Sequence, residues 1–163
     1  MPAWLLRPRL VRVAVVTFLT AALVAPVAGA TAQATTATRS VSSVRTTKAV
    51  ADRVLAIAAS QYGKPYSYGA SGPNSFDCSG FTSYVFARVG VSLSHNAAAQ
   101  YSEVHHVAKA DRRPGDLIFT YGSGGIGHVA IYAGNNEMWA ATHTGDIVRK
   151  EHLYTSNYYV GRA

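Results

Sequence analysis

The chain has 163 residues, 48% of them hydrophobic, a formal charge of +7 and a single cysteine. One thiol excludes an internal disulfide framework, so the fold has to rest on a hydrophobic core. Three arginines and no acids fall in the N-terminal segment, and without it the charge is +4. That mild basicity favours an anionic surface such as a bacterial wall polymer and does not indicate nucleic acid.

Met1–Ala34 reads as an export signal. Arg7, Arg9 and Arg12 make a positive start, Val13–Val24 an apolar run, and Ala28-Gly29-Ala30 and Ala32-Gln33-Ala34 two cleavage sites, after Ala30 or after Ala34. The run is shorter than the roughly 20 residues of a membrane span, so stable insertion is not expected once the signal is removed. Residues 35–45, rich in Thr, Ser and Ala, form a flexible lead-in. About 115 residues remain, from 46 to 163, enough for one domain with a real core.

Helices come first. Lys48–Ser60 carries Val50, Val54, Ile57 and Ala58 at helical spacing. Gly63–Ser75 is loop, punctuated by glycine and proline. Asp77 is placed to cap a helix in which Phe81, Val85 and Val89 recur until Gly90 stops it. Ser94 caps a short helix through Asn96–Tyr101. After Arg113-Pro114-Gly115 the period becomes that of strands, over Asp116–Thr120, His128–Ala133, Glu137–Thr142 and Ile147–Lys150, with Tyr158–Gly161 closing. Helices followed by a small antiparallel sheet predict an α+β domain.

Cys78 then falls in the first turn of a helix, among unpaired N–H groups and the positive end of the dipole. Ionising a free thiol at neutral pH takes about 2.7 kcal/mol. A helix N-terminus supplies about 0.3–1 kcal/mol, and the neighbouring Asp77 opposes it. A cationic partner has to provide the rest, most economically a histidine. Of the six histidines, His95, His105, His106 and His152 fall in polar or loop segments. His128 instead opens an apolar strand after the glycine-rich run Gly122–Gly127. None shows zinc spacing, and neither a metal site nor another cofactor is expected.

Four ordered motifs carry a resemblance. Gly63-Lys64-Pro65-Tyr66-Ser67-Tyr68-Gly69 is followed by Phe76-Asp77-Cys78-Ser79-Gly80-Phe81. Arg113-Pro114-Gly115-Asp116-Leu117-Ile118-Phe119 and Gly127-His128-Val129-Ala130-Ile131-Tyr132 complete the set. Together they resemble the NlpC/P60 family of bacterial cell-wall cysteine peptidases, from about Val50 to Gly161. The resemblance implies a papain-like α+β fold and hydrolysis of peptidoglycan stem-peptide amides, typically the bond from the γ-carboxyl of D-glutamate to a diamino acid. It implies Cys78 as nucleophile and His128 as base, holding a thiolate–imidazolium pair, with Tyr66, Tyr68, Asp77 and Ser79 as substrate contacts. A secreted or wall-associated bacterial monomer follows, with a peptidoglycan peptide as partner.

The chain also departs from the family. A third polar residue, usually His and sometimes Glu, Gln or Asn, lies twelve positions after the histidine and orients its ring; here that position is Ala140. Thr142 or His143 can step in. An odd-length turn near Asn135 brings Thr142 to the face of His128, an even one brings His143. The position family members often fill with Pro-Arg reads Ser94-His95. The alternative is therefore a wall-binding protein of the same fold, weak or inactive as a catalyst.

Overall fold

A computed structural model describes residues 48–163. The predicted export signal and lead-in lie outside the described residues. Helix α1 covers residues 48–60 and buries Val54 and Ala58, while Val50, expected on the same face, is 41% exposed. Helix α2 is Cys78–Ala87, capped by the Asp77 carboxylate, which accepts the Gly80 N–H at 2.7 Å. Gly90 ends the segment at φ +85°, a conformation that costs glycine little. Helix α3 is Ala97–Glu103. Its cap is Asn96, not Ser94: Asn96 accepts the Ala99 N–H at 2.9 Å, and the Ser94 N–H reaches forward to the Glu103 carboxylate at 3.0 Å. Both residues are capping types, and the sequence leaves the choice to where the chain turns.

The strands are β1 (His105–Val107), β2 (Leu117–Gly122), β3 (Gly125–Gly134), β4 (Glu137–Ala140), β5 (Arg149–His152) and β6 (Tyr158–Arg162), all antiparallel and ordered β1-β6-β2-β3-β4-β5. Strand β1 occupies the segment read as a polar connection. Its three residues expose both histidines, so no apolar alternation marks it, and it forms because β6 offers an edge. Along β2 and β3 alternate residues bury on opposite faces. Leu117, Phe119, Val129 and Ile131 pack with Val54, Phe81 and Val85 of the helices. Ile118, Ala130 and Tyr132 join Met138, Ala140 and Val160 in a second cluster.

The Arg113–Asp116 turn anchors this sheet. Gly115, at φ +93°, donates its N–H to the Tyr132 carbonyl at 2.8 Å, and a Cβ there would sit 3.1 Å from that of Ala51. The buried Asp116 carboxylate takes two N–H groups of Arg162, each at 2.8 Å, and the Arg113 N–H at 2.7 Å. Asp116→Ala strands the guanidinium and a backbone donor together. It should cost about 2–4 kcal/mol, read as a lower midpoint in chemical denaturation.

Candidate active site

The loop before α2 is fixed by its own backbone. Ser67 N–H meets the Phe76 carbonyl at 2.9 Å, Phe76 N–H the Pro65 carbonyl at 3.1 Å, and Asp77 N–H the Ala70 carbonyl at 2.8 Å. Phe76 is fully buried, its ring edge-on to Phe81 and Tyr84 at 5.8 and 4.9 Å. The last residue of this pinned loop is the cap of α2, so Cys78 begins the helix at a determined place.

The sulfur sits between competing influences. Burial pushes the Cys78 thiol above its ordinary range, and the Asp77 charge adds to the rise. Against them, the backbone amides of Val129, Ser79 and Cys78 itself pull the thiol down. The Val129 amide belongs to β3, one residue past His128, so α2 and β3 meet at the sulfur. His128 is pushed down to about 4 by burial, and its Nε2 is buried with no hydrogen-bond partner.

The hairpin from β3 to β4 decides which residue faces His128. Its turn is Asn135-Asn136, both at positive φ, the two-residue connection that suits twisted strands. A bulge between Tyr132 and Gly134 adds one residue, so Tyr132 pairs with Met138 and Ile131 with Trp139. Five residues then separate the last regular pair, an odd count. Continuing that register sets Thr142 opposite His128, and both line one cleft with Cys78. The Thr142 hydroxyl also reaches Glu151 at 3.4 Å. His143 is exposed, its Nδ1 on the Thr144 carbonyl at 3.0 Å. Ala140 is fully buried in the second cluster.

The cleft holds about 370 Å³. Tyr66 lines it, its phenol pushed up by burial and by the nearby Cys78 and Asp77. Tyr68, 89% exposed, projects away from the packed structure. Asp77 and Ser79 are buried; the Ser79 hydroxyl donates to Asp77 at 3.1 Å, and neither forms part of the cleft wall. Their contacts are those of a helix start. The remaining wall includes Thr120, Tyr121, Tyr154, Thr155 and Asn157. Sequence reading did not find these. Thr120 pairs directly with His128 across β2 and β3, which only the register reveals, and the 153–157 connection carries no motif. Among the described residues, no group of three His, Cys, Asp or Glu side chains is placed to hold a metal ion, and no helix is long and apolar enough to cross a membrane.

Residues 63–161 match the model of the NlpC/P60 family. The chain is 45% identical over 106 residues to a Listeria welshimeri protein named "Probable endopeptidase p60", a match covering 64% of this chain and 20% of that one. It is 40% identical over 130 residues to the peptidoglycan endopeptidase RipB of Mycobacterium tuberculosis, covering 72% of this chain and 53% of RipB. The chain thus spans about a fifth of one relative and about half of the other. Among solved structures it superposes on RipD of M. tuberculosis, described as a non-catalytic NlpC/p60 domain protein adapted to peptidoglycan binding, with a TM-score of 0.61 and 33% identity over 69% of this chain and 96% of RipD. With the family's model matched over most of the described residues and its α+β fold in place, the chain belongs to the NlpC/P60 family.

Proposed function

We propose that this chain is a secreted cysteine endopeptidase that cuts an amide in peptidoglycan stem peptides, at the γ-D-glutamyl–diamino acid bond, with Cys78 as nucleophile and His128 as base. One observation carries the reading: the Cys78 and His128 side chains line one open cleft. The relative named as a peptidoglycan endopeptidase supports the substrate class.

The charges favour a different resting state from the ion pair expected from the sequence. Burial raises the thiol and lowers the imidazole, and among the described residues no carboxylate hydrogen-bonds the ring, which favours thiol and neutral imidazole over the ion pair. As the sulfur attacks the carbonyl carbon, His128 takes the thiol proton and the carbonyl oxygen becomes anionic. The N–H groups at the start of α2 are donors for that oxyanion. Collapse breaks the C–N bond, the imidazolium protonates the leaving amine, and water then hydrolyses the thioester with His128 again as base. Thr142 is the candidate for orienting the ring.

A second reading keeps the cleft and drops turnover. Ala140 offers no side-chain hydrogen bond, the His128 Nε2 is buried without a partner, and RipD is a non-catalytic protein of this fold. Mass spectrometry of muropeptides after digestion separates the two, because it reports activity and the bond cut together. Cys78→Ser should lower cleavage by roughly 10³-fold or more while wall binding persists. Cleavage that survives this change removes the assignment, and wall binding without any wild-type cleavage favours the second reading.

Thr142→Val keeps shape and removes the hydroxyl. It should lower kcat about tenfold with KM nearly unchanged if the hydroxyl steadies the ring, and an unchanged kcat leaves that task elsewhere.

Acid should destabilise the fold through His128. A base held at about 4 when folded, against 6.5 when unfolded, contributes its stability in full above 6.5 and loses it as pH falls through 4. The loss should approach about 3 kcal/mol. Denaturation of wild type and His128→Gln between about pH 7 and 4 reads it, and the variant should lack this component.

A further inference from the structure

His95 lies in the linker between α2 and α3, and its Nε2 stands 2.9 Å from each carboxylate oxygen of Asp77. The other donors to that carboxylate are neutral: the N–H groups of Gly69 and Gly80 at 2.9 and 2.7 Å, and the Ser79 hydroxyl at 3.1 Å. The contact is close, for a Cβ on Gly80 would meet His95 Nε2 at 2.9 Å. The Asp77 side chain is 10% exposed and that of His95 34%, so the ring reaches water while the carboxylate is largely withdrawn from it.

The titratable groups around this pair come from each packed segment. Cys78 follows Asp77 on α2, Tyr66 and Tyr68 lie on the preceding loop, and Glu103 of α3 is held by Ser94 beside His95. Among the described residues, His95 is the group in ion-pair contact with Asp77 that can carry positive charge. The Asp77 charge opposes ionisation of the sulfur next to it.

We propose that His95 is a positioning residue for Cys78: its protonated ring, set across both oxygens of Asp77, offsets the carboxylate beside the sulfur and eases thiolate formation on the acid side. When the ring gives up its proton, that help is withdrawn. The proposal rests on Cys78 being the reacting sulfur, and it turns a paired side chain outside the cleft wall into a control on the nucleophile.

Iodoacetamide alkylation of the full chain, followed from about pH 5.5 to 9, tests it without any wall substrate. His95→Gln should slow alkylation about threefold near pH 6 and converge on wild type above about pH 8. His95→Arg, a cation at every pH, should match wild type in acid and exceed it about threefold near pH 8.5. A merely structural His95 would shift both variants by a factor constant with pH, and that result overturns the proposal. Should His95→Gln fail to fold, the pH dependence of the His95→Arg ratio decides alone. Muropeptide turnover on the same samples keeps the two readings apart. Turnover lost with the crossing profiles intact counts against the endopeptidase, whereas parallel profiles with turnover intact count against His95.

Discussion

The carboxylate of Asp77 is the fixed point of the site. It accepts N–H groups from Gly69 and Gly80, the Ser79 hydroxyl and the His95 ring, and so ties the loop before α2, the helix start and the linker after it to one buried group. A buried charge without such partners would be expensive; here four groups hydrogen-bond it. The same arrangement places a negative charge next to the sulfur, in opposition to the helix dipole. Amides from two elements act the other way without outweighing burial: Val129 from β3, and Ser79 with Cys78 from α2. The geometry that fixes Cys78 therefore also sets how hard its thiol is to ionise.

The second half of the site is built by irregularity in the sheet. A bulge at Thr120/Tyr121 leaves Thr120 paired with His128, and the bulge between Tyr132 and Gly134 converts a two-residue turn into an odd connection. Without that extra residue, the register of β3 and β4 would shift by one and the opposite set of side chains would face His128. Ala140 meanwhile fills a gap in the second cluster, packed with Ile118, Ala130 and Met138. An orienting side chain at that position would have to displace core atoms, a cost absent at Thr142.

The elements with strong periodicity or capping chemistry were legible from the residues. Residues 48–60 and Cys78–Ala87 are helical as their spacing predicts, and Asp77 caps α2. The five predicted strands appear with ends displaced by no more than three residues, and the starts at Glu137 and Tyr158 coincide. Strand β1 was hidden because its pairing is decided by β6, some fifty residues away, and its exposed face lacks alternation. The choice of Asn96 over Ser94 was hidden because both are capping types. In the site, motif order put Cys78 and His128 forward together, and the fold sets both on one cleft. The burial that raises the thiol and lowers the imidazole could not be read from the residues, because burial is a property of the fold. The Asp77–His95 contact spans 18 positions and no local pattern announces it.

The two outermost strands are unlike the four inside. Strand β1 has three residues, and β5 reads Arg149-Lys150-Glu151-His152, charged or titratable at every position. Open strand borders invite a neighbouring chain to add itself by backbone pairing, and short or charged borders discourage it. Such margins keep the sheet from growing across molecules and preserve access to its cleft.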